Sequence, residues 1–376
     1  MTRLCLDDYD WDEVDRTKRF ITGLFGGPAP DRPAAIVHPA GLPGTDAAPP
    51  PGLTEFERQA WQGAAALRRR PLGGDDFVPT VGTSVSTSAL ATAFGAKEEV
   101  RSGMHWVTPC IGSLSEIARL RKPPVTAGRL GEVLERTRAC RDVTDERLPI
   151  RVMDFQSPFT TVEQLVGCDR FFTMPYDDPR RLKALMDMVT DFSIEFFRTQ
   201  KEAAGERCCP GIWPPIWFPP QAGIQMSDDH LANVSPAVYE EFVVPYNSRV
   251  AEAFGGLFLH SCTIPAPHLG ALKKIRGLTG LNCDISSSVP ISRLLEEFGR
   301  DIVVAPHAYI NTGAKYAGYA EFFTDMLAPW RPGHRLFIYP CTVLYLPRES
   351  REVAFDEAVA RAALEAIPAW KAARAR

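Results

Sequence analysis

The chain has 376 residues, 45% hydrophobic and 23% charged, with a formal net charge of −4, the profile of an ordinary water-soluble globular protein with a large core rather than a disordered chain. Short arginine runs such as Arg68-Arg69-Arg70 lack interleaved aromatics, so nucleic acid is not an expected partner. No apolar run approaches the roughly 20 residues of a membrane span, residues 1–18 are acidic with no apolar signal segment, and nine cysteines are too sparse for a disulfide scaffold; the expectation is a cytoplasmic protein with reduced thiols and no membrane contact.

Residues 28–53 are rich in Pro, Ala and Gly, with Pro49-Pro50-Pro51 extended, and read as an irregular arm without a core. The expected division is an N-terminal arm and extension over residues 1–70 and one catalytic unit over residues 71–376. Leu148 to Phe155 reads as a strand, Gln156 to Thr161 as the loop after it, and Pro179 to Gln200 as a helix from its apolar spacing. In Gly211 to Pro220, four prolines preclude a regular helix while Trp213, Trp217 and Phe218 demand burial. That stretch fits a pocket wall, with Trp217 a candidate substrate-binding residue, but equally core packing or a homodimer contact.

Ser235-Pro236 opens a helix that runs through Arg249 to Ala253 and ends at Gly255-Gly256, since Ser caps well and Pro is tolerated at the first helical position. Leu257 to Cys262 follows as a buried strand and Pro267 to Ile275 as a helix. Leu278 to Cys283, Ile302 to Pro306 and Arg335 to Cys341 continue as short strands, and Val353 to Ala372 reads as the last helix. This alternation is that of βα units and a parallel sheet. Neither a P-loop nor a G-x-G-x-x-G between strand and helix is present, so a nucleotide cofactor has no sequence support.

The chemistry gathers late in the chain. Side chains two apart on a strand share a face, which sets His260 and Cys262 side by side about 6.6 Å apart at Cα. One Zn²⁺ can bridge an imidazole and a thiolate at ~2.0–2.3 Å, and a third ligand from another strand end would leave a fourth position open, as in catalytic zinc sites. Cys341, at the end of the run Leu336-Phe337-Ile338-Tyr339, is the candidate third ligand. The plainer alternative is that H-x-C is a chance pair and buried Cys a packing residue. Gln156 and His307 each follow a strand and are candidate pocket residues.

Tyr239-Glu240-Glu241-Phe242, Pro245-Tyr246, Gly255-Gly256 and the strand ending His260-Ser261-Cys262 resemble the uroporphyrinogen decarboxylase superfamily. The resemblance is nearest to its zinc-dependent methyltransferases, which pass a methyl group from a methyl-corrinoid protein to a thiol such as coenzyme M. It implies a single (β/α)₈ barrel with an irregular N-terminal extension, zinc on His260, Cys262 and Cys341, a small-molecule thiol substrate and a corrinoid supplied by a partner protein. Ser227-Asp228-Asp229-His230 resembles the family loop in which an Asp faces the barrel mouth. That similarity implies Asp228 as an orienting or ligand-supporting catalytic group; His230 beside it reads either as a neighbouring acid or base or as a merely exposed residue.

The true decarboxylases resemble the chain over Gly82 to Ala96. Here, however, the Ser/Thr-rich run Thr83 to Ser88 stands in place of their catalytic Asp, which argues against porphyrinogen decarboxylation. Two other readings stay open: a metal-free decarboxylase or lyase acting on an organic acid through Asp228 and the histidines, and a non-catalytic corrinoid- or tetrapyrrole-binding protein.

Overall fold

The computed structural model describes residues 3–7, 9–38, 47–69, 74–101, 104–211, 216–313, 315–341 and 355–365. Within them, parallel strands form one ring, β1 (Ala34–Ala35), β2 (Val81–Gly82), β3 (Ile150–Arg151), β4 (Ile224–Ser227), β5 (Leu257–Ser261), β6 (Leu278–Cys283), β7 (Val303–Val304) and β8 (Phe337–Ile338), and a further short parallel segment, Cys208–Cys209, pairs with β3 ahead of β4 in the chain. Parallel ladders join β4 to β5, β5 to β6 and β6 to β7, with a register shift between Leu257 and Phe258 on the β6 side. β2 pairs with β3 and β1 with β8, while single bridges, Gln156 to Ser227 and Val304 to Leu336, tie β3 to β4 and β7 to β8.

The seam between β1 and β2 closes by side chains. Asp76 N–H donates to Ala35 O at 2.9 Å, the Asp76 carboxylate accepts from Ala35 N at 2.9 Å, and Asp75 accepts from Val37 N at 2.8 Å. Arg32 grips the same Asp76 carboxylate with two bonds of 2.7 Å. This ring is the (β/α)₈ barrel expected for a run of βα units.

Strand alternation sorts side chains into two apolar layers. Ile224, Met226, Leu257, Leu259, Leu281 and Cys283 face the surrounding helices. Phe258, Val303, Ala305, Phe337, Tyr339 and Cys341 face the interior. The floor is plugged by aromatics, with Phe218 stacked on Phe258 at a centroid distance of 4.2 Å and edge-on to Phe25 at 5.5 Å. Phe25 follows the helix Trp11–Leu24, which Arg335 locks beneath the barrel by donating to the carbonyls of Gly23 and Leu24 at 3.0 and 2.7 Å.

Several expectations change here. Residues 28–53 are not free of core: Ala34 and Ala35 form β1, and Ala34, Ala35, Ile36 and Val37 are all buried. A strand of small residues inside a Pro- and Ala-rich stretch carries no alternation to betray it, and it places a barrel strand inside the segment read as an extension. The expected loop Gln156–Thr161 contains a helix start, since Ser157 accepts from Thr160 N and Pro158 takes the first position of the helix Pro158–Val166.

The expected helix from Ser235 to Ala253 is two, Pro236–Phe242 and Val244–Phe254, because Pro245 has no N–H to continue the ladder. Gly255 ends the second with φ +75°. The long helix Pro179–Ala204, capped by Asp178, extends four residues past its expected end at Gln200. Of the last helix, Glu357–Glu365 is described and residues 366–372 lie outside the described residues, as do residues 212–215 with Trp213. Among the described residues no helix is long and apolar enough to cross a membrane.

Candidate metal centre

β5 presents Phe258, His260 and, one step beyond its end, Cys262 to the barrel interior, while β4 presents Gln225, Ser227 and then Asp229. The two strands are in register, Ser227 opposite His260, so Asp229 arrives at the level of Cys262. The Cys262 Sγ lies 3.4 Å from Asp229 Oδ1 and 3.7 Å from His260 Nε2, and Nε2 lies 3.8 Å from the same Oδ1. These three donor atoms form a nearly equilateral triangle.

The triangle is near the size of a metal site, its nitrogen-to-oxygen side of 3.8 Å a few tenths of an ångström wider than a bound ion would set. A tetrahedral Zn²⁺ with bonds of ~2.0–2.3 Å holds its donors ~3.3–3.7 Å apart. Imidazole nitrogen, thiolate sulfur and carboxylate oxygen are also all zinc donors. Cys262 is exposed, so the ion's remaining face would open to the mouth.

The orientation of His260 is set by a chain of hydrogen bonds. Asn282, on β6 directly opposite His260, donates through Nδ2 to Ala305 O and to Tyr339 Oη at 2.8 Å. A backbone carbonyl only accepts, so this fixes the amide, and its Oδ1 faces His260 Nδ1 at 2.5 Å. Nδ1 must therefore carry the proton, and Nε2 presents a lone pair to the cluster.

Burial lowers the pKa of His260 and lowers that of His307 well below its ordinary value, with His260 adding to the effect. Both rings are neutral near pH 7. Burial of the sulfur, followed by the Asp229 carboxylate, pushes the Cys262 thiol up to about 12, so without a cation it stays protonated.

Around this centre, Asp154 lies beyond β3, accepts from Ser227 Oγ at 3.0 Å and is raised to about 6 by burial, which outweighs that hydrogen bond, with Asp229 adding to the rise. Asp284 follows β6, bridged to His307. His307 is buried, its Nδ1 3.2 Å from Asn282 Nδ2 and its ring stacked on Tyr339 at 5.7 Å.

The remaining expected residues fall elsewhere. Cys341 points inward, is buried and bridges to Tyr309, but the structure does not bring it into the triangle; Asp229 holds the third corner. Burial, then Asp284, raises its thiol. Asp228 does not face the mouth. One residue after Ser227, it turns outward, where its buried carboxylate accepts from Tyr239 Oη at 2.8 Å, Asn247 Nδ2 at 3.1 Å and Ser157 Oγ at 3.2 Å. It pins the helices to the sheet.

His230 pairs with Glu163 at 3.4 Å and Asn233 at 3.1 Å, against the rings of Phe171 and Phe172. Trp217 is buried in the inner apolar cluster with Ile216 and Phe218, which makes it a packing residue there. Gln156 is opposite Ser227, 2% exposed, and its Oε1 has no hydrogen-bond partner among the described residues.

The sequence reading passed over Asp229 and Asn282. Both carried a signal: Asp229 continues the inward parity of Gln225 and Ser227, and Asn282 is a polar residue inside the apolar strand Leu278–Cys283, where burial demands partners.

A family model for uroporphyrinogen decarboxylase matches residues 75–211. The uroporphyrinogen decarboxylase of Syntrophotalea carbinolica is 30% identical over 129 residues, 33% of this chain and 33% of that protein. Uroporphyrinogen decarboxylase 2 of Arabidopsis thaliana, a chloroplast protein, is 23% identical over 225 residues, 57% of this chain and 51% of that one. The alignments thus span a third to a half of these relatives' length. Among solved structures, a methyltransferase from Methanosarcina mazei matches with a TM-score of 0.66 and 17% identity, covering 95% of this chain and 99% of that one; this likeness is one of fold.

Fold and cluster together define an α/β barrel with a candidate metal site at its strand ends. Over residues 75–211 the chain is similar to uroporphyrinogen decarboxylase, and its barrel has the fold of a solved methyltransferase. The triangle at residues 229–262 lies beyond the part that the family model covers.

Proposed function

We propose that this barrel is a zinc-dependent methyltransferase that moves a methyl group from a methyl-corrinoid partner protein, or another donor, to a thiol acceptor. The observation that carries the reading is the triangle of Asp229, His260 and Cys262, whose sides of 3.4, 3.7 and 3.8 Å come within a few tenths of an ångström of those around one tetrahedral ion. The likeness in fold to a methyltransferase supports it.

Those three residues would hold the ion, and Asn282 keeps the His260 lone pair aimed at it. Bound there, zinc would favour the deprotonated form of an acceptor thiol at neutral pH. The Cys262 proton, held tightly in the metal-free chain, leaves on metal binding. In the transfer, the acceptor sulfur forms a bond to the methyl carbon as the donor's bond to that carbon breaks, and the electron pair stays with the donor. Neutral His307 and the Asn282–Tyr339 network wall the interior beneath, and the aromatic floor keeps it dry.

The test is metal analysis of the purified protein with thiol methylation assayed in parallel. One equivalent of zinc per chain is expected, and Cys262→Ser should lose both metal and activity. Methylation that survives complete chelation would overturn the reading and favour a metal-free lyase.

A further inference from the structure

Resting on that reading, we infer that the acceptor thiol carries a carboxamide, which hydrogen-bonds the buried amides of Gln156 and Gln225 on the β3 and β4 side of the barrel interior. Strand register places these amides beside the triangle. Gln156 is opposite Ser227 and Ser227 is opposite His260, so the three form one row across adjacent strands and point to the same side. Two strand steps separate the Cα of Gln156 from that of His260 by roughly 10 Å, a gap spanned from both ends by inward side chains. Gln225, opposite Phe258 and two residues before Ser227, keeps the same inward parity one row lower.

The polar groups of the interior are answered on one side and not on the other. Toward β6 and β8, Asn282 meets His260 through Oδ1, and Ala305 O and Tyr339 Oη through Nδ2, so that sector closes on itself. On β3 and β4, among the described residues, Gln156 Oε1 and both Oε1 and Nε2 of Gln225 have no hydrogen-bond partner, although each residue is only 2% exposed. The hydroxyl that stands between them is already committed, since Ser227 Oγ donates to Asp154 at 3.0 Å. Three buried polar atoms left this way cost free energy that a ligand with matching groups recovers.

Two acceptors and one donor ask for a group that is both. A carboxamide offers N–H to the glutamine oxygens and C=O to Gln225 Nε2, and it pairs with a side-chain amide in either of that amide's two orientations. A carboxylate has no N–H to give, and an alkyl chain answers none of the three atoms. The thiol would reach the open face of the ion while its short chain runs toward Gln156, with Gln225 beneath.

The experiment loads the full-length protein with Co²⁺ in place of zinc and titrates three thiols of one shape: 3-mercaptopropionamide, 3-mercaptopropionate and 3-methylbutane-1-thiol. Thiolate-to-cobalt charge-transfer absorption reads binding without any need for turnover. The amide should bind about tenfold more tightly than the carboxylate, the effect of leaving a buried acceptor unanswered. Gln156→Leu should shift the preference between amide and alkyl thiol about tenfold toward the alkyl thiol, because an apolar pair leaves nothing unsatisfied. Gln225→Leu should shift it in the same direction, which keeps the test decisive should one variant misfold.

Equal binding of amide and carboxylate, or a preference for the amide over the alkyl thiol that neither variant moves, would overturn this inference and leave the methyltransferase reading standing. If the cobalt protein bound none of the three thiols, both would fall.

Discussion

The barrel is built two ways around its circumference. From β4 to β6, strands of four to six residues run in long ladders, with one register shift at the base of β5 between Leu257 and Phe258 and regular pairing from there to Ser261. From β8 through β1 to β2, strands of two residues are held by one two-residue ladder and by the side chains of Asp75 and Asp76. The triangle sits on the first sector. Donor atoms must be held to within about 0.5 Å to favour one ion, and a ladder fixes strand register far better than a loop does. The second sector bears none of the three donors, and closure there rests on one buried ion pair.

The sharpest way to break this contrast is Asp76→Ala, which strips Ala35 N–H of its partner and leaves Arg32, 14% exposed, without its carboxylate. A loss of about 3–5 kcal/mol is expected, read as a drop in the denaturation midpoint, with metal stoichiometry retained in whatever remains folded. If zinc binding fell in proportion at a temperature where the variant is fully folded, the two sectors would not be independent.

Asn282→Leu probes the other side. It removes the acceptor that fixes the His260 tautomer, and zinc affinity should fall roughly 10–100-fold, measured by competition with a chelator. Full affinity in that variant would mean that the ladder alone positions the imidazole.

The smallest effect sharpens the assignment of the thiol. In the metal-free chain Cys262 titrates at about 12, so at any lower pH zinc must displace its proton. Burial lowers the pKa of His260, which keeps the imidazole proton out of the balance near neutrality. Zinc affinity should therefore rise about tenfold for each unit of pH between 6.5 and 8.5, and fall by the same factor as pH drops. A slope near zero would show that the sulfur is not a ligand.

How far the sequence reaches can be judged residue by residue. The strand Leu278–Cys283 is found at its expected limits, and the strand expected to end at Cys262 does bring His260 and Cys262 to one ion-sized gap. Both follow from the two-residue period, a local property of the backbone. β1 was missed because Ala34 and Ala35 show no contrast between faces, and a strand buried on both sides gives no alternation to read.

Of two adjacent aspartates, resemblance pointed to Asp228, while strand parity sends Asp228 to Tyr239 and Asn247 and Asp229 to the mouth. The choice between Cys341 and Asp229 as third donor lay outside local sequence altogether, because it depends on which strand end lies across from His260.

By itself, then, the sequence determined the order of strands and helical stretches in the second half, though not where the helices break, together with the inward pairing of His260 with Cys262 and the class of chemistry that a nitrogen and a sulfur on one strand allow. These depend on backbone periodicity and donor type, which neighbours in the chain carry. Only the tertiary structure decided that Asp229 completes the triangle, that Asn282 fixes the imidazole through a carbonyl on the next strand, and that Gln156 keeps an unanswered oxygen beside them. Each of those is set by register between strands far apart in the chain, and register is decided by the packing of the whole barrel.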